Sequence, residues 1–240
     1  RLEFMHITKT GGSAVERAAA QSGINWGCCH YVQHPGLKCF HPTIDRFTPR
    51  FPTFPPEKRG NPWHVPIQYH VPKPFPPDTK YFTIVRDPYN RAISEYYCPY
   101  TGYKGGKNAS DPRVMNDWIQ NLVKTQLHAE NGVISFLPQH RYVFDTAAGS
   151  GGEQRMVDHV LHFETINTEF AALMTLYGLN VTLPDKQDNP TNVAAASSDD
   201  RTLSRSDLTS ETIRLINDCA AKDFESFGYS TMMATNAHEI

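Results

Sequence analysis

Apolar residues in this chain gather into short unbroken runs and into longer stretches of helical period, and their alternation predicts the order of elements. Leu-Glu-Phe-Met-His-Ile at residues 2–7 reads as a short buried strand. Thr8-Lys9-Thr10-Gly11-Gly12 reads as a tight loop, and a helix starts near Ser13 with Val15, Ala18 and Ala19 toward the core. The run Lys80-Tyr81-Phe82-Thr83-Ile84-Val85 is β-branched and aromatic; it predicts a second buried strand that stops at Arg86-Asp87-Pro88. Proline there suits the first turn of a helix, which continues through Ala92, Ile93 and Tyr96. Asp111-Pro112 caps a further helix with Met115, Trp118, Ile119, Leu122 and Val123 on its apolar face, ending near Gly132. Arg141 to Phe144 and His159 to Phe163 are short strand candidates. The second of these leads into a helix through Phe170, Leu173 and Met174 that Gly178 terminates. A last helix runs from about Ser210 through Ile213, Ile216 and Phe224 to Gly228.

Strands that alternate with helices imply an α/β fold, three-layer α/β/α with a central parallel sheet covered on both faces. At 240 residues and 39% hydrophobic content the chain has the size of a single domain around one core. One segment departs from the alternation: residues 42–77 hold eleven of the eighteen prolines, which excludes regular helix or central strand there. So long an excursion is expected to be functional. Ligands on open parallel sheets bind at the carboxyl ends of strands, where both the glycine loop and the Arg86 turn fall, so the two are expected to converge on one crevice.

A net charge of −2 gives no global field for nucleic acid or an acidic membrane surface, so any anion site must be local. The loop Lys9-Thr10-Gly11-Gly12-Ser13 has the chemistry of such a site. Its glycines let backbone N–H groups approach an anion, the helix N-terminus adds partial positive charge, Lys9 brings a full charge, and Thr10 and Ser13 bring hydroxyls. The other reading of the glycine pair is a plain connection from strand to helix. The loop is not a nucleoside-triphosphatase loop, because its lysine precedes the glycines, and no apolar strand ending in a magnesium-binding Asp accompanies it. The G-x-G-x-x-G dinucleotide fingerprint is absent as well. No metal is expected.

In the second turn Arg86 stands at a strand end and Ser94 eight residues later on a helix. A guanidinium fork and a hydroxyl suit a terminal phosphate, while the structural alternative is a buried Arg86–Asp87 pair bracing the turn. Together, the two motifs resemble the PAPS-dependent sulfotransferases (PAPS is 3′-phosphoadenosine 5′-phosphosulfate). The likeness is to the Golgi-type carbohydrate enzymes with a lysine-threonine-glycine-glycine loop, a group related to the heparan sulfate 2-O and 6-O sulfotransferases. The resemblance implies a P-loop-like sulfotransferase fold and PAPS as donor. Lys9, Thr10, Gly11, Gly12, Ser13 and Ala14 would hold the 5′-phosphosulfate, and Arg86 and Ser94 the 3′-phosphate. Val157 to Glu164, Phe170, and Asp223-Phe224 through Gly228-Tyr229 also look like the family's body. The excursion from Trp26 to Pro77 departs from it, which leaves the acceptor open between a glycan and a small molecule bearing a hydroxyl.

Sulfuryl transfer needs a base to take the acceptor proton and cations to neutralise the leaving group. Trp63-His64-Val65-Pro66 and Tyr69-His70-Val71-Pro72 offer two histidines where the family carries its base; His64 is the first candidate and His70 the second, with Glu57 and Glu95 as carboxylate alternatives. Lys9 would neutralise charge on the leaving phosphate. A P-loop-type kinase is the alternative enzyme, and a nucleotide-binding module without catalysis the alternative outside enzymes.

Cys28, Cys29, His30, His34, Cys39 and His41 have zinc-ligand chemistry but no paired C-x-x-C spacing, so a local disulfide, or plain burial or exposure, stands beside zinc as a reading. The sequons at Asn108 and Asn180 point to the Golgi lumen or secretory pathway, with the cytoplasm as alternative. No run reaches the roughly 18 apolar residues of a bilayer span, so membrane attachment would need an upstream anchor.

Overall fold

The computed structural model describes residues 1–26, 64, 66–69, 76–128, 136–145, 153–184 and 202–234. In chain order the strands and α-helices are β1 (Leu2–Met5), α1 (Gly12–Gln21), β2 (Lys80–Val85), α2 (Pro88–Tyr96), α3 (Pro112–His128), α4 (His140–Val143), β3 (Phe144–Asp145), β4 (Gln154–Arg155), β5 (His159–His162), α5 (Ile166–Leu176), α6 (Ser210–Cys219) and α7 (Ala221–Phe227). They fall into two compact units, one of residues 1–85 and 139–189, the other of residues 86–138 and 190–240.

The first unit holds a parallel sheet in the order β1-β2-β5. Register is fixed by pairs such as Phe4 with Phe82 and Ile84 with Leu161. All four residues of β1 and the last four of β2 are buried, as expected of strands covered on both faces. Val15, Ala18 and Ala19 of α1 and Phe170, Leu173 and Met174 of α5 join Phe4, Phe82, Ile84 and Trp26 in one apolar cluster. The Trp26 ring meets Phe82 edge-on at 5.0 Å between centroids. Each of the larger aliphatic side chains and phenylalanines buried here stabilises the fold by about 1.5–3 kcal/mol. At the amino end of the sheet, Asp158 accepts from Lys80 Nζ at 2.8 Å and from the Tyr81 amide at 2.9 Å. Burial alone would raise the Asp158 carboxyl, but these two donors hold it below the usual carboxylate range.

Two readings change here. The strand expected over 2–7 ends at Met5, because the carbonyl of His6 accepts from His64 Nδ1 and that of Ile7 from Thr10 Oγ1, so the ladder is broken by side chains. Residues 141–144, expected as a strand, are largely the single helical turn of α4 followed by the two-residue β3. Gln68 Nε2 reaches the Arg141 carbonyl at 2.6 Å and satisfies it without a strand partner.

The second unit is helical among its described residues. Tyr89, Ala92, Ile93 and Tyr96 of α2, Met115, Ile119 and Val123 of α3, Ile213 and Ile216 of α6 and Phe224 of α7 share one core. Buried Asn116 ties α3 to the turn before α6, donating to the Pro112 and Asp207 carbonyls and accepting from the Thr209 amide. Thr209 in turn caps α6. The single helix expected from Ser210 to Gly228 is two: Ala220, at φ −106° and ψ 19°, ends α6 and caps α7. No glycine or proline marks that break, so periodicity carries straight through it. Gly228 terminates α7 at φ 72°, as its position predicts. Among the described residues no helix is long and apolar enough to cross a membrane.

Candidate active site

The loop after β1 is bent by residues in the left-handed region. Gly11 has φ 88° and Lys9 φ 65°. A lysine there costs about 1–3 kcal/mol of backbone strain, which persists only where the surroundings over-determine it. Gly11 caps α1 with no side-chain hydrogen bond, and the first turn carries no acid. Of the first amides of α1, that of Ala14 is donated to the Gly11 carbonyl at 3.1 Å; a helix N-terminus carries partial positive charge, and Lys9 stands two residues ahead of the Gly11 cap. Thr10 is fully buried and gives its hydroxyl proton to the Ile7 carbonyl at 2.9 Å. Its side chain thus closes the loop, while Ser13, in the first turn of α1, is half-buried.

Packing leaves no room for side chains on the two glycines. A Cβ at Gly11 would lie 2.9 Å from the Phe163 ring, and one at Gly12 would overlap the His6 imidazole. Gly12→Ala should destabilise the fold by about 1–3 kcal/mol, the usual range for overpacking, lowering Tm by about 2–4 °C per kcal/mol. Thermal denaturation reads this directly, and an unchanged Tm would mean that the His6 ring yields at no cost.

His64 sits against this loop within the same unit. Its Nδ1 lies 3.2 Å from the His6 carbonyl, its ring stands edge-on to that of His6 with centroids 4.5 Å apart, and its own carbonyl accepts from the Tyr142 hydroxyl at 2.9 Å. A carbonyl only accepts, so Nδ1 carries the proton and Nε2 is the basic nitrogen of the neutral ring. His70 and Glu57 lie outside the described residues, as do Cys28, Cys29, His30, His34, Cys39 and His41. Glu95, the other carboxylate alternative, is buried on α2 with Oε1 accepting from Thr101 Oγ1 at 2.6 Å. Among the described residues no group of three or more His, Cys, Asp or Glu is arranged to hold a metal ion.

Strands β1 and β2 are parallel neighbours, so the chain leaves both at the same edge of the sheet, and Arg86 is the residue that follows β2. In the second unit, Asp87 caps α2: Oδ1 accepts from the Asn90 amide at 2.9 Å and Oδ2 from Arg205 Nη1 at 3.1 Å. The carboxylate is thus committed to the helix start and to Arg205, whose guanidinium also lies 5.0 Å over the Tyr89 ring. The two helix starts differ in kind. That of α1 has no capping side chain, whereas that of α2 is capped by Asp87; Arg86 directly follows β2, and Ser94, on α2, is 3% exposed.

Sequence reasoning missed His6, Glu16 and Arg205. His6 Nδ1 lies 2.6 Å from Glu16 Oε1, both side chains being buried. A signal existed, since Glu16 falls on the Gly12-Val15-Ala19 stripe of α1 and His6 inside an apolar strand, and buried polar groups need partners. Nothing local marks Arg205, 118 positions from Asp87.

Neither curated proteins nor solved structures gave a match to the chain. A family model, described as the sulfotransferase family, matches residues 59–230. The matched span takes in β2, the Arg86 turn and His64 and begins after the Lys9–Ala14 loop. It covers well over half of the 240 residues, and the chain belongs to the sulfotransferase family.

Proposed function

We propose that this member of the family transfers a sulfuryl group from PAPS to a hydroxyl of a glycan or small-molecule acceptor by in-line displacement. The observation that carries the reading is the start of α1, where a left-handed glycine cap, no capping side chain and no acid in the first turn stand directly behind a strained lysine. Bound PAPS supplies the activated sulfuryl group. The Gly11, Gly12 and Ser13 amides and the Ser13 hydroxyl hold the 5′-phosphosulfate, with Thr10 and the Ala14 amide, which is given to the Gly11 carbonyl, keeping the loop closed, and Lys9 neutralises charge on the leaving phosphate. Arg86 and Ser94 bind the 3′-phosphate. His64, through Nε2, takes the acceptor's proton as the S–O bond forms.

The reading puts the enzyme in the Golgi lumen or secretory pathway, with the cytoplasm as the alternative; the two sequon asparagines, Asn108 and Asn180, are exposed and open to glycosylation in the former case.

Calorimetric titration with 3′,5′-ADP, with ATP plus magnesium in parallel, tests the donor site. Tight binding of 3′,5′-ADP and weak binding of ATP is the expected result, and the reverse preference would put a kinase in its place. Arg86→Ala should weaken 3′,5′-ADP binding by about 2–3 kcal/mol, the scale of a charged hydrogen bond. Unchanged affinity would remove Arg86 from the site.

A further inference from the structure

The site as proposed makes no use of the buried pair formed by His6 and Glu16. These side chains are 7% and 5% exposed and meet at 2.6 Å, yet they arise from the end of a strand and the second turn of a helix, ten residues apart. The pairing orients the His6 ring, which then fills the space that a side chain at Gly12 would take. His64 rests on the same residue twice: its ring stands edge-on to the His6 ring, and its Nδ1–H is given to the His6 carbonyl. Tyr142 holds the His64 main chain from the other side. Whatever tilts His6 therefore moves both the ring and the carbonyl that seat His64. This is the arrangement of a base whose orientation is fixed by a second group, itself held by a third.

We propose that Glu16 and His6 are positioning residues, a buried carboxylate–imidazole pair that seats His64 against the phosphate loop with Nε2 as its basic nitrogen. The inference rests on the reading of His64 as the general base. Neither residue touches the reacting atoms; Glu16 acts through His6, and His6 through His64.

A pair that merely filled the core would be replaceable by apolar side chains of similar volume, and such exchanges of buried ion pairs are often neutral for stability. The decisive variant is therefore the double substitution His6→Leu with Glu16→Leu, beside Glu16→Gln, which retains an acceptor for Nδ1–H. The full chain is labelled with ¹⁵N-histidine, and two-bond ¹H–¹⁵N spectra report the tautomer of His64, whose signals are assigned by their loss in His64→Ala. Turnover is followed as 3′,5′-ADP release from PAPS with a desulfated glycosaminoglycan as acceptor. The wild type and Glu16→Gln are expected to show a single Nδ1–H tautomer at His64. The double variant is expected to bind 3′,5′-ADP normally, show mixed tautomers and lose about a hundredfold in kcat, the cost of a misplaced catalytic group. A single Nδ1–H tautomer in the double variant, or wild-type turnover by it, overturns the proposal. Wild-type turnover in His64→Ala removes the base reading alone, because the tautomer still decides whether the pair seats His64.

Discussion

Replacing His64 with alanine should lower kcat by about 10²–10⁴-fold, the share of a well-placed general base, and leave the affinity for 3′,5′-ADP unchanged. The split follows from position. The His64 ring is held by the His6 carbonyl and ring, and His6 is not among the residues assigned to the phosphates, so loss of His64 takes away proton transfer and spares donor binding. Steady-state kinetics with PAPS and a desulfated glycosaminoglycan, paired with calorimetry, would measure both quantities on one preparation. A variant with unchanged turnover would move the role to His70, Glu57 or Glu95. A variant that lost 3′,5′-ADP binding as well would mean that His64 supports the loop rather than the reaction.

Lys9→Ala is expected to cost about 10²–10³-fold in kcat, the scale of one preorganised electrostatic contact to a developing charge. Backbone and charge must be separated here, because Lys9 has φ 65° and alanine is no better suited to that conformation. Lys9→Gly supplies the control. It removes the same charge while relieving the strain, so it should be as inactive as Lys9→Ala yet about 1 kcal/mol more stable. Recovery of turnover in the glycine variant would show that the loop needs this residue for its shape and not for its ammonium.

Most of the framework was legible in the sequence. The apolar runs at β1 and β2, the glycine loop between β1 and α1, the proline opening α2 and the Met115-Ile119-Val123 stripe of α3 all report local rules of period and capping. The misread elements are those where distant groups decide. Residues 140–143 form a turn of helix with the Arg141 carbonyl taken by Gln68, 73 positions away, while Arg-Tyr-Val-Phe by itself has the composition of a strand. The break at Ala220 follows no breaker residue.

For the site, the sequence by itself determined which groups are available: a lysine ahead of two glycines at a helix start, an arginine at the end of the next strand, a histidine shortly before it. Short-range geometry is enough for this, because a strand, a tight turn and a helix start occupy contiguous residues and their amides must point where the turn aims them. Tertiary structure alone decided how those groups are held. It spends the Thr10 hydroxyl inside the loop, fills the α2 start with Asp87 and Arg205, and sets His6 between Glu16 and His64. Each of these depends on a hydrogen bond or ring contact formed only once the chain has packed, and a buried polar group takes whichever partner packing brings to it.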